Sequence, residues 1–276
     1  MDKAAKKEEQ YYDNAQVLYN LFWSSKNLHY GFWEKGTRTL SRAIENENAF
    51  VSKLLDLHKG DCVLDAGCGV GGTCFFMTRN FGAKVVGITL SRRQLLQARR
   101  KSRELGLGNL VSFKRMDFCR TDFPENAFTK IFGVESVCHA HDKLAFLKEA
   151  HRILKPGGRI VICDGFLTKR NLTRREMQVY KKCLKGWVVD NLSHKDDFLR
   201  DLRKAGFRNT IFYDKTKEVM PSSSWIAIVG YLFTPLSFAS SRLGFKKYVH
   251  EHFITCINQR RILDRFAVYG VFVAEK

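Results

Sequence analysis

The stretch Val63-Leu64-Asp65-Ala66-Gly67-Cys68-Gly69-Val70-Gly71-Gly72 decides how the rest of the chain is read. An apolar, β-branched run leads into an aspartate, then a turn with four glycines in six residues, then an apolar helical segment from Thr73 to Thr78. Glycines in such a turn reach φ values closed to other residues and let backbone approach a ligand closely. The amides of the turn and of the helix start point toward whatever docks there. The spacing Gly67-x-Gly69-x-x-Gly72 also satisfies the dinucleotide fingerprint. That fingerprint asks for an acidic residue about 20 positions on, at the end of the second strand. Here Lys84-Val85-Val86-Gly87-Ile88 runs into Thr89-Leu90-Ser91 instead. Asp65, two residues before the first glycine, is placed to meet a cationic ligand or to orient the loop.

Downstream of this turn short apolar runs alternate with helical segments. The runs 62–65, 84–88, 110–114, 129–134 and 159–164 read as strands, with spacers long enough for crossover helices, which implies right-handed βαβ units and a parallel sheet. Residues 209–213 and 267–274 add two further strands. Gln94–Leu105 reads as a helix with Leu95, Leu96 and Ala98 toward the sheet, and its Arg92, Arg93, Arg99, Arg100, Lys101 and Arg103 as a solvated face. Residues 173–189 and 194–205 are expected to be helical. Lys155-Pro156-Gly157-Gly158 reads as a turn before the fifth strand.

The organisation expected is a helical N-terminal lid over residues 1–60, a core over 61–215, an inserted cap over 216–266 and a final strand over 267–276. Within the lid, 43–57 reads as helix and His29-Tyr30-Gly31-Phe32-Trp33 as an aromatic loop. Within the insertion, Trp225–Leu236 is the most apolar stretch of the chain. It is too short to span a bilayer and broken at Pro235, so it reads first as a helix over the substrate pocket. Its second reading is a membrane-surface patch beside Arg242, Lys246 and Lys247.

A net charge of +19 is concentrated in residues 166–276, with 21 basic against 10 acidic side chains, and favours an anionic partner or simply a soluble basic surface. Eight cysteines without a Cys-x-x-Cys pair suit neither a zinc cage nor a disulfide framework. They read as reduced thiols used as small apolar residues, and with no apolar leader at the N-terminus the expected location is cytoplasmic. No metal site is expected.

Asp65-x-Gly67-x-Gly69-x-Gly71-Gly72 resembles the first motif of the class I S-adenosylmethionine-dependent methyltransferases. Met116-Asp117-Phe118, Phe123-Pro124-x-x-x-Phe128 and Leu154-Lys155-Pro156-Gly157-Gly158 follow in that family's order and approximate spacing. Val86–Ser91 resembles the tocopherol and cyclopropane-fatty-acid branches, and Glu135-Ser136-Val137-Cys138-His139-Ala140-x-Asp142 the sterol C-methyltransferases. The resemblance implies an α/β fold with a seven-stranded, mostly parallel Rossmann-like sheet and helices on both faces. It implies S-adenosylmethionine as cofactor, with Gly67, Gly69 and Gly71 along its methionine and ribose parts and Asp65 nearby. Thr89, Leu90 and Gln94 would bracket ribose and adenine in place of the usual strand-2 carboxylate. Asp117 would accept from the adenine amino group, beside the Phe118 amide; the alternative for Asp117 is a turn cap. Tyr11, Tyr12 and Tyr30 would come from a lid, a tyrosine hydroxyl bonding the cofactor's carboxylate and its ring facing the sulfonium.

Glu135 and His139 follow the fourth strand, at the sheet edge where ligands of open α/β folds bind. Either suits a general base or the stabilisation of a developing cation, with Tyr30 as a third catalytic candidate. The acceptor expected is a small hydrophobic or amphipathic molecule, neutral or anionic: a sterol, prenyl chain, quinol or lipid-like natural product. C-methylation is preferred on the Glu135–His139 motif. The alternatives are N- or O-methylation, an RNA or DNA methyltransferase, and a non-catalytic cofactor- or membrane-binding protein. Nucleic acid is disfavoured because Asn/Asp-Pro-Pro-Tyr/Phe and Pro-Cys motifs are missing. Oligomer formation is left open.

Overall fold

The computed structural model describes Asn27, residues 29–242 and residues 247–276. Tyr11 and Tyr12 lie outside the described residues, as do Lys246 and the side chains of Arg242 and Lys247.

In chain order the elements are α1 (Leu40–Leu54), β1 (Cys62–Ala66), α2 (Gly72–Phe81), β2 (Lys84–Thr89), α3 (Arg92–Glu104), β3 (Val111–Arg115), β4 (Phe128–Val134), α4 (Lys143–Ile153) and β5 (Leu154–Leu167). These are followed by α5 (Arg174–Trp187), α6 (Lys195–Lys204), β6 (Arg208–Asp214), α7 (Thr216–Arg242), α8 (Lys247–Leu263) and β7 (Ala267–Glu275). The seven strands form one sheet in the order β3-β2-β1-β4-β5-β7-β6. Every pair is parallel except those made by β7, which runs antiparallel to both β5 and β6.

Alternate residues of the strands supply two cores. Val63, Val85, Val111 and Val161 pack with Val51, Cys74, Met77 and Leu95 from the first three helices. Leu64, Ile131, Ile160 and Ile162 pack with Phe146, Leu147, Phe198 and Leu202 from α4 and α6. Helix ends are set by side chains: Ser91 accepts from the Gln94 amide, Asp142 from Ala145, and Thr173 forms a capping box with Glu176.

Three local expectations are corrected. Leu96 is 58% exposed, because a helix turns about 100° per residue and Leu95 with Ala98 already fills the sheet-facing side. The Lys155–Gly158 turn lies inside β5: Leu154 pairs with Phe128 and Arg159 with Lys130, so four residues loop out opposite one. Pro235 does not end its helix. α7 runs through both Pro221 and Pro235 over 27 residues. The Ser224, Thr234 and Ser237 hydroxyls fold back onto helix carbonyls, and the packing of α7 on α8 outweighs the lost amide.

Two glycines allow α8 to be gripped from both sides. A Cβ on Gly186 of α5 would meet Glu251 O at 2.2 Å, and one on Gly230 of α7 would meet Phe253 O at 2.9 Å. Thr255 Oγ1 bridges the first contact, accepting from Gly186 N and donating to Lys182 O. Gly186→Val should therefore destabilise the fold by about 2–3 kcal/mol, read as a drop in thermal midpoint. Gly108→Ala, whose Cβ meets open space, should shift stability by less than about 0.5 kcal/mol.

Candidate active site

The chain runs outward from β1 to β2 and β3, then returns to β4 on the other side of β1. That reversal opens a crevice at the strands' carboxyl ends, the usual ligand position in open α/β sheets. A cavity of about 230 Å³ lies there, and its wall is mainly apolar. Gly67 makes it possible: a Cβ at this residue would lie 2.3 Å from Ser136 Cβ. Ser136 Oγ closes the joint by donating to Ala66 O at 2.5 Å. Glu135, first after β4, sits at φ +50, strained for a residue with a side chain, and its amide donates to Cys163 O at 2.8 Å.

Asp65, Gly67, Gly69, Thr89, Leu90, Gln94 and Phe118 all line the cavity. Asp65 is 3% exposed, and burial pushes its carboxyl up to about 7 against the pull of a Cys74 thiol 3.1 Å away. A Cβ on Gly69 would meet nothing within 4 Å, so backbone at this point fronts open space inside the cavity wall. Thr89 Oγ1 donates to Gln94 Oε1 at 3.1 Å and accepts from the Ser91 amide, giving a preset neutral polar pair.

Two expected cofactor residues are elsewhere. Gly71 caps α2 at φ +87, and the side chain it lacks would strike Phe113 at 2.6 Å, so close packing there requires a glycine. Asp117 is not part of the wall; its Oδ1 accepts from the Cys119 amide at 2.8 Å, the turn-cap alternative.

Tyr30, Glu135 and His139 line the same cavity. The Tyr30 amide donates to Glu135 Oε1 at 2.8 Å, while its hydroxyl donates to Gln259 Oε1 of α8 at 2.8 Å. Tyr30 thus ties the chain to Glu135 and to α8 rather than presenting a free hydroxyl. Burial, reinforced by the nearby charge of Glu47, pushes the Glu135 carboxyl well above the usual range. Burial also lowers His139 to about 4, so its imidazole is neutral. Its loop is held by Lys143, whose Nζ donates to Cys138 O, Ala140 O and both oxygens of Asn191.

Three participants were missed in the sequence. Glu47 on α1 is fully buried and accepts from Tyr269 Oη at 2.7 Å and Gly31 N at 3.0 Å. Tyr269 on β7 also contacts Glu135 Oε1 at 3.0 Å. Asp164, at the cavity wall, accepts from the Cys138 and Gly165 amides. An acid on the buried stripe of Ala43, Ile44 and Val51, and another ending the apolar run of β5, were the available signals.

The mycolic acid cyclopropane synthetase family model matches residues 1–203. Methyltransferase GfsG of Streptomyces halstedii is 31% identical over 214 residues, 77% of this chain and 76% of that protein. Sterol 24-C-methyltransferase ERG6 of Saccharomyces cerevisiae is 28% identical over 74% of this chain, which spans about half (53%) of its length. Among solved structures, cyclopropane synthase MmaA2 of Mycobacterium tuberculosis superposes with a TM-score of 0.84 at 18% identity, covering 98% of both chains. Geranyl diphosphate C-methyltransferase from Streptomyces coelicolor A3(2) superposes with a TM-score of 0.76 at 20% identity, covering 99% of this chain and 98% of that one. With a family model spanning more than half of its residues, the chain belongs to the mycolic acid cyclopropane synthetase family and is an S-adenosylmethionine-dependent methyltransferase.

Proposed function

We propose that this enzyme methylates a neutral, largely apolar acceptor of sterol, prenyl, quinol or lipid-like type, with carbon as the preferred methylated atom. The observation that carries the reading is the buried Glu135 carboxyl in an apolar-walled cavity that, among the described residues, no Lys or Arg lines. A diphosphate would meet no Lys or Arg among the described wall residues, so a neutral acceptor is the reading favoured. The Trp187 indole N–H in the wall is buried without a hydrogen-bond partner among the described residues and suits an acceptor oxygen.

The cofactor supplies a methyl group activated on a sulfonium. In this reading Asp65 takes a cationic part of the cofactor, Gly67 and Gly69 admit it close to backbone, and Thr89, Leu90, Gln94 and Phe118 bracket its nucleoside end. Glu135 faces the charge that develops on a methylated alkene and takes the proton that leaves. His139, neutral and weakly basic, orients the acceptor. O-methylation is the second reading, favoured by relatives such as a 27-O-demethylrifamycin SV methyltransferase, 28% identical over 76% of this chain. There Glu135 would take a hydroxyl proton.

The exposed face of α7 supports work at a lipid surface. Trp225, Ile228, Leu232 and Leu236 fall at helical spacing on one side, the last two 68% and 67% exposed. Trp225 also lines the cavity, so the stripe is continuous with its mouth. The sequence after it carries Arg242, Lys246 and Lys247, which suit acidic headgroups. Thr216–Ala239 is long and apolar enough to cross a membrane. Its bonds from Trp33 to Ser222 and between Ser223 and Gln259 instead keep it on the protein.

Incubation with the cofactor and sterols, prenols or quinols should give a methylated product, its carbon or oxygen linkage assigned by NMR. Glu135→Gln should cut kcat at least tenfold while leaving affinity for the sulfonium-free S-adenosylhomocysteine within about twofold; unchanged turnover removes Glu135 from the chemistry. Leu232→Asp/Leu236→Asp should abolish co-sedimentation with vesicles containing anionic lipid. Loss of a dimer on light scattering instead would assign the stripe to a second copy. For Asp65, a folded value near 7 against about 4 unfolded means that the native state binds the extra proton. Stability should therefore fall as pH rises from about 4 to 7, by up to roughly 4 kcal/mol. Asp65→Asn should flatten that decline in thermal scans of the cofactor-free protein and weaken cofactor binding at pH 8.

A further inference from the structure

Tyr269 places one hydroxyl proton between two buried carboxyl groups. Its Oη is 2.7 Å from Glu47 Oε1 and 3.0 Å from Glu135 Oε1. A hydroxyl donates once, so it satisfies one carboxylate and turns a lone pair toward the other. Glu47 is the better-supplied acceptor: it also takes the Gly31 amide and faces His29 Nδ1 at 2.5 Å. Glu135 has the longer bond and, among the described residues, besides Tyr269 only the Tyr30 amide. With the phenol proton on Glu47, the contact of 3.0 Å is a bond only if Glu135 supplies the hydrogen. Among the described residues the other groups around Glu135 are acids or neutral: Asp164 on β5 and the Cys138 and Cys163 thiols.

We propose that Glu135 rests as a neutral carboxylic acid, held so by Glu47 through the shared hydroxyl of Tyr269, and gives up its proton when the cofactor's sulfonium charge enters the cavity. This rests on the reading that Glu135 faces the methyl-transfer centre. The balance closes over one turnover. Cofactor entry brings one positive charge, and the Glu135 O–H bond breaks with its proton leaving to solvent. Methyl transfer moves the positive charge onto the acceptor, whose C–H bond then breaks. Its electron pair becomes the product's double bond, and the proton returns to Glu135. The sulfonium has become a neutral thioether and Glu135 a neutral acid, so the charge inside the cavity is the same before and after. Glu47 and Tyr269 are positioning residues in this scheme, acting through Glu135.

Calorimetric titration in buffers of different ionisation enthalpy counts the protons released on binding. S-adenosylmethionine and S-adenosylhomocysteine share the ammonium and carboxylate that Asp65 senses and differ in the sulfonium charge, so their difference isolates Glu135. The full-length enzyme should release close to one more proton, on the order of a full group, with S-adenosylmethionine than with S-adenosylhomocysteine at pH 7. Glu135→Gln should erase the difference with both ligands still bound. Glu47→Gln, which removes the neighbouring charge, should shrink it and move the acidic limb of the kcat/KM profile to lower pH. Equal proton counts for the two ligands, or a difference that survives Glu135→Gln, overturns the resting acid. Homocysteine-ligand binding in the same series tests the cofactor pocket separately, and turnover of Glu135→Gln tests the role of Glu135 separately.

Discussion

The joint between Gly67 and Ser136 is the contact on which the site depends. β1 and β4 are neighbours in the sheet, yet the loops leaving them must go to opposite sides for a crevice to open between them. They can touch at their roots only because one of them has no Cβ, and the Ser136 hydroxyl then locks the pair onto Ala66 O. With Ser136 pinned there, Glu135 is forced into the left-handed region and its side chain is delivered beside Tyr30 and Tyr269. The backbone strain of about 1–3 kcal/mol that such a position costs is held by the surrounding packing. A site built this way is defined by sheet topology first and by side chains second.

The electrostatics of the interior run opposite to those of the surface. The chain carries +19 overall, and its exposed cations pair with nearby acids as in Arg170–Asp197 and Lys169–Glu176, contacts worth little each in water. Inside, Asp65, Glu135 and Asp164 are buried, each carboxyl pushed up by desolvation. Lys143 is the cation nearest to Asp164, but its ammonium is spent on loop carbonyls. Where acids are buried without Lys or Arg, the folded protein is stabilised by whatever neutralises them, a proton or a cationic ligand.

How far the sequence reaches is set by range. The β1-turn-α2 unit is local, and its apolar run, aspartate and glycines are enough to place Asp65, Gly67 and Gly69 at the cavity. Thr89 and Gln94, five residues apart across a strand-to-helix turn, are equally local. The Glu47–Tyr269 bond joins residues 222 apart. No pattern within α1 or β7 says that they meet; the sequence offers only the oddity of an acid on a buried helical stripe. Asp117 shows a different limit, since a motif position does not reveal that one carboxylate oxygen is held by the amide two residues on. Pro235 misleads for a third reason, because propensity is a local preference and α7 is set by its packing on α8.

An acid that is neutral without the cofactor and ionised with it has a consequence for the order of events. An apolar cavity is a poor place for a sulfonium, since removing a cation from water costs far more than an apolar wall returns. A carboxylate at the methyl-transfer centre offsets that cost for the cofactor but offers nothing extra to its thioether product. The same group that receives the cation before reaction is, after taking the acceptor's proton, indifferent to what remains. Differential affinity for substrate over product then follows from charge alone, with no rearrangement of the glycine turn that holds both.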